Sequence, residues 1–115
     1  MAEFKERLEA FNAQLKEMQE KGVINLPIVI PLQYPIQVTS DSTFEEFTVE
    51  KHLTAAAYKG IPASNLKYDD MQKLTSRMVA QPMSTIEKLH SLDMFRCFEV
   101  VNLFLPDGLK TGDNL

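Results

Sequence analysis

The sequence predicts an α+β fold: a small, mostly helical domain with one antiparallel β-hairpin and an N-terminal amphipathic helix. Three observations predict it. Residues 30–38 alternate apolar residues with Pro or Gln, and a second strand-like stretch, 44–49, follows a polar loop. Phe4, Leu8, Phe11, Leu15 and Met18 recur at spacings of four, three, four and three. Residues 93–105 form the most apolar run of helical spacing in the chain. Period two marks a strand with one buried face, and a three-to-four spacing marks a helix.

In the first strand Ile30, Leu32, Tyr34, Ile36 and Val38 share one face, with Pro31, Gln33, Pro35 and Gln37 on the other. Thr39-Ser40-Asp41-Ser42-Thr43 is the turn. In the second strand Phe47 and Val49 share a face, whereas Phe44 is out of step and belongs at the loop edge or beside a bulge. Pro31 and Pro35 have equal parity, so their missing donors fall on one edge. Pairing should therefore use the other edge, through the amides of Leu32, Tyr34, Ile36 and Val38. A lone hairpin is marginal, so helices must cover its apolar face.

The remaining elements follow in order. Residues 2–21 read as a helix stopped by Gly22. The seam has two readings: docked on its own domain, or a partner-binding or self-pairing face. The chain accordingly divides into an amphipathic N-terminal helical arm (1–22), a hairpin-plus-helices domain (23–106) and a flexible tail (107–115). Pro27 makes 23–29 an extended linker or a short edge piece. Residues 50–59, with three alanines, predict a short helix ending at Gly60. Ser64 or Asn65 can cap a further helix carrying Tyr68, Met71, Leu74 and Met78, ended by Gln81-Pro82. Ser84-Thr85-Ile86-Glu87 fits a capping box opening a short helix through Leu89. Ser91 or Asp93 restarts the chain into the last helix, with Met94, Cys97, Phe98, Val101, Phe104 and Leu105 on its broad face and Phe95 and Val100 at the margins.

With 115 residues the chain makes one domain with a modest core. A net charge of −4 and no basic run argue against nucleic acid or an anionic membrane as partner. A charged N-terminus without an apolar core is no signal peptide, and no run reaches the ~20 apolar residues a span needs. One cysteine leaves no intramolecular disulfide, so a cytoplasmic site is the default. Motifs for chemistry are sparse, and the reading is of a protein with no catalytic residue, cofactor or metal ligand. Glu87-x-x-His90 is half of a di-iron motif without its second copy. Cys97 lies among apolar neighbours and reads as structural. Asp69-Asp70 reads as solvated helix charge. Met18, Met71, Met78, Met83 and Met94 read as core filler or as an adaptable binding surface. The candidate partner-binding residues are those of the seam: Phe4, Leu8, Phe11, Leu15 and Met18.

The order of elements carries a resemblance. Leu32-x-Tyr34-Pro35-Ile36-x-Val38, then Glu46-Phe47-Thr48-Val49, then a short Ala-rich segment, a helix ending in a Pro-containing turn, and Ile86-x-x-Leu89-x-x-Leu92-Asp93 running into an apolar helix, resemble the tail assembly chaperones of contractile-tailed bacteriophages, which group the E proteins with the Mu-type versions. Two features depart from that pattern: Glu50-Lys51-His52 stands where the family has a basic pair, and the arm before residue 22 is longer. The resemblance implies a non-catalytic protein of the host bacterial cytoplasm. It would keep a tape measure protein soluble during tail assembly, with a longer frameshifted isoform of itself and a homo-oligomer as further partners. The alternative is a structural tail or baseplate component retained in the virion.

Overall fold

A computed structural model describes residues 3–105; the predicted tail, 107–115, lies outside them. Among the described residues, four α-helices and a two-stranded antiparallel hairpin enclose one apolar core. Strand β1 (Ile28–Thr39) lies between β2 (Ser42–Val49) and the helices α1 (Phe4–Lys21) and α4 (Ser91–Phe104), while α2 (Tyr68–Val79) packs on α4 and reaches β2. A single-turn helix, α3 (Met83–Ile86), joins α2 to α4.

Helix α1 ends as its sequence predicts. Gly22 takes the left-handed conformation (φ +66°) and its N–H donates to the Met18 carbonyl at 2.9 Å. The seam faces the chain's own core: Phe11, Leu15 and Met18 are buried, and Leu8 packs half-buried beside them. The face read as a candidate partner surface is therefore occupied from within.

The hairpin is longer than its sequence suggests and is interrupted in the middle. β1 starts at Ile28 rather than Ile30, the turn is only Ser40-Asp41, and β2 starts at Ser42 rather than Phe44. Ile28, Ile30, Leu32 and Ile36 are buried, as period two requires, but Tyr34 is 45 % exposed. The register shows why. Pro31 pairs with Glu46 and Ile36 with Phe44, so four β1 residues, 32–35, face one β2 residue, Glu45. In this wide bulge the Tyr34 amide bonds to α4 instead of β2, which overturns its predicted place in the ladder. Parity does hold at Pro31, whose carbonyl accepts from Arg96 of α4 at 3.3 Å. Phe44 sits where the register shifts, its ring 5.3 Å from that of Phe47.

Three helix boundaries differ from expectation. The helix predicted over 50–59 shrinks to one 3-10 turn, Ala55–Tyr58, with no buried residue. Three alanines offer too little apolar surface to hold further turns against the core. α2 begins after Lys67 rather than at Ser64 or Asn65, because Asp70 accepts from the Lys67 amide at 2.9 Å while Asn65 is left-handed at φ +57°. Asp70 is thereby buried, not solvated. The capping box at Ser84 does not form: α3 starts at Met83 behind Pro82, placing Ser84 inside the turn. In the last helix Val100 is fully buried rather than marginal. Met18, Met71, Met78 and Met94 are buried, so the core takes most of the methionines.

Candidate partner-binding surface

Two features dominate the chemistry of the fold, one buried and one exposed. The buried one starts from His90, whose Nδ1 accepts from the Leu92 amide (3.2 Å) and so caps α4 in the role expected of Ser91 or Asp93. Released from capping, Asp93 points from the first turn into the β1 bulge. Its Oδ1 accepts from the Gln33 amide at 2.9 Å and its Oδ2 from the Tyr34 amide at 3.0 Å. Arg96, one turn on, donates to Asp93 Oδ1 at 2.6 Å and to the Pro31 carbonyl. The Asp93 side chain is fully buried and that of Arg96 is 13 % exposed. Above the guanidinium lies the Phe4 ring, 5.3 Å from centroid to charge. Outside, the Tyr34 ring stacks on His90 at 4.0 Å. A carboxylate holding two strand amides and one arginine is a structural clamp, fixing the bulge to α4.

The exposed feature is aromatic. Tyr68 at the start of α2 is 49 % exposed, and Leu92 and Phe95 on α4 are 52 % and 51 % exposed. Leu92 and Phe95 are three residues apart and so share a helix face. The rings of Tyr68, Phe95 and the buried Phe98 meet edge to face at 5.2–6.2 Å, fixing the exposed pair on the core beneath. A pre-ordered apolar surface loses little entropy when a partner covers it. The sequence placed Phe95 only at a margin and did not mark Tyr68 or Leu92 as exposed. The signal was there in Leu92-x-x-Phe95, two large apolar residues off the buried stripe.

The predicted seam is divided between these features and the core. Phe4 covers Arg96, Leu8 is half-buried, and Phe11, Leu15 and Met18 are buried. An open depression of about 390 Å³ lies between the end of β2, the 3-10 turn and the end of α2. Its Arg77 is engaged by the Ala57 and Lys59 carbonyls, the latter at 2.7 Å. Glu87 and His90 are both exposed, and His90 is engaged by Tyr34 and the Leu92 amide. Among the described residues no group of three or more His, Cys, Asp or Glu could hold a metal ion. Among the same residues no helix is long and apolar enough to cross a membrane. Comparison with protein-family models, curated proteins and solved structures finds no match to this chain.

Cys97 is fully buried in α4, and its thiol is pushed up to about 12, first by burial and then by the Asp93 charge, with Arg96 opposing. The folded thiol thus stays neutral where the unfolded one, at 9.0, ionises. The folded state then binds more protons than the unfolded one, so this group's contribution to stability falls as pH rises from 9.0 towards 12. Native protein at pH 8 is expected to resist thiol-labelling reagents that modify the urea-unfolded chain at once. Equal labelling rates in the two states would contradict the buried thiol.

Proposed function

We propose that the protein is a non-catalytic assembly chaperone of the contractile phage tail type, acting in the host bacterial cytoplasm to keep a tape measure protein soluble. The observation that carries this reading is the half-exposed apolar surface of Tyr68, Leu92 and Phe95, whose two rings rest edge to face on Phe98. A long helical protein waiting for its tube exposes apolar stripes that self-associate unless a matching face covers them. The resemblance of the sequence's order of motifs to that of tail assembly chaperones supports the same reading.

Co-expression with the tape measure protein, followed by pull-down at low and high salt, tests it. Apolar burial is unscreened, so the complex is expected to survive high salt. Leu92→Asp lies on the surface and should change stability by about 0.5 kcal/mol or less, whereas Phe95→Asp also gives up ring contacts with Tyr68 and Phe98 worth about 0.5–1.5 kcal/mol each; each should weaken capture of the partner, and capture is compared at equal folded fraction. Absence of a complex at either salt overturns the chaperone reading. A complex indifferent to both substitutions moves the contact to another face.

A further inference from the structure

We propose that the outer edge of β2 is a docking site for an extended, cationic segment of a partner protein, which adds to the hairpin as a third strand and sets an apolar side chain in the depression beside Thr48. The site is separate from the surface of Tyr68, Leu92 and Phe95 and does not rest on the reading of that surface.

The two edges of the hairpin differ. The outer edge of β1 is closed by α4: Asp93 takes the Gln33 and Tyr34 amides, Arg96 takes the Pro31 carbonyl, and Pro31 has no amide to offer. β2 contains no proline, and the direction of its backbone groups follows from the register. Pro31 pairs with Glu46 but cannot donate, so that pair exchanges no hydrogen bonds. Antiparallel pairs alternate, so Ile30–Phe47 and Ile28–Val49 carry the ladder. The N–H and C=O groups of Glu46 and Thr48 consequently point away from β1. Among the described residues the sheet has no third strand, and no backbone–backbone hydrogen bond outside the ladder involves residues 42–49. A row of donors and acceptors two residues apart is matched by extended chain. A helix spends its own backbone groups internally and cannot meet it.

The depression of about 390 Å³ continues this edge. Thr48 and Glu50 line it together with the apolar Leu53, Met78 and Val79, whereas no residue of β1 does, so it lies on the outer side of β2. A segment paired at Thr48 runs over it.

Charge defines the partner further. Glu45, Glu46 and Glu50 are exposed, and residues 42–50 hold no Lys or Arg. Arg7 pairs with Glu46 at 3.5 Å, yet the Glu46 side chain stays 45 % exposed. A second copy fits poorly, because joining two β2 edges gathers these carboxylates from both chains into one short ladder. Registers centred on residue 46 or 48 set Glu46 directly opposite Glu46 or Glu50 of the copy, which is destabilising. A segment with Lys or Arg opposite Glu46 and an apolar residue at the depression has no such conflict.

The probe is a fluorescein-labelled peptide of eight residues, alternating Lys with Val, added to the full chain and followed by anisotropy. It should bind about tenfold or more tightly than the same peptide N-methylated on every amide, which keeps the charge but loses the donors, and than a peptide alternating Glu with Val. Hydrogen exchange gives the local readout: the Glu46 and Thr48 amides should be fast in the free protein and slow with the peptide bound. Thr48→Pro removes an outward donor while leaving the ladder to β1 intact, and should weaken binding severalfold. Glu46→Lys, the alternative should the proline impair folding, should turn the preference towards the Glu-containing peptide. Both are compared at equal folded fraction by circular dichroism.

Equal binding of the N-methylated peptide overturns strand addition, since charge alone is then recognised. Unchanged exchange at Glu46 and Thr48 in the peptide-bound protein places the contact elsewhere and overturns the site. Light scattering that shows a dimer of the full chain dissociated by Thr48→Pro overturns the assignment to a partner, since the edge is then filled by a second copy.

Discussion

Deleting residues 1–21 is expected to leave a 22–115 fragment that does not hold the native fold at 25 °C. The deletion strips Phe11, Leu15 and Met18 from the core, at 2 %, 6 % and 1 % exposure, and uncovers the residues they shield. Burying a side chain of this size contributes roughly 1.5–3 kcal/mol, so three amount to several kcal/mol against a domain stability of about 5–15 kcal/mol. Far-ultraviolet circular dichroism and urea titration of the fragment beside the full chain provide the measurement. A fragment with a native-like cooperative transition would make α1 a detachable arm rather than a wall of the core.

Asp93→Ala is expected to cost about 3–5 kcal/mol, because it leaves Arg96 as an unpaired buried charge. The same change removes the acceptor of two strand amides, Gln33 and Tyr34. The double substitution Asp93→Ala with Arg96→Met should recover part of the loss, since no charge is then stranded. Hydrogen exchange gives the local readout. In the wild-type protein the Gln33 and Tyr34 amides should exchange slowly although their side chains are exposed. In any Asp93→Ala chain that still folds they should become fast ahead of Ile30. Slow exchange at both amides without the Asp93 carboxylate would show that something other than the clamp protects them.

The fold class was legible because it rests on periodicity. The alternation of Ile30, Leu32 and Ile36, the seam from Phe4 to Met18, and the stripe through Met94, Cys97 and Val101 each report one buried face. What was not legible depends on contacts far apart in sequence. Tyr34 has the parity of a buried strand residue and is exposed because Asp93, 59 positions later, takes its amide. Asp93 resembles a helix cap, and only the neighbouring His90, already capping, frees it for the strand. The 50–59 segment has helical composition but buries too little to keep more than one turn. The aromatic surface was legible only in part: helical spacing puts Phe98 on the broad face and Phe95 at its margin, but Val100 at the other margin is buried and Phe95 is half-exposed, a difference that only packing sets.

The clamp also bears on the order in which the chain folds. A two-residue turn lets the tip of the hairpin close early, on a microsecond scale. Its middle cannot settle in the same way, because four residues of β1 stand opposite one of β2 until Asp93 arrives from 60 positions downstream of Gln33. Closing so long a segment carries an entropic cost that local pairing does not offset, and non-local contacts of this kind slow folding. Formation of α4 and alignment of the two strands should therefore be one event in the transition state. Substitutions at Asp93 would then slow refolding, whereas those at the Ser40-Asp41 turn would act mainly on the first closure. During synthesis, a chain that has emerged only as far as β2 would hold a hairpin able to slide, its register fixed when the last helix reaches it.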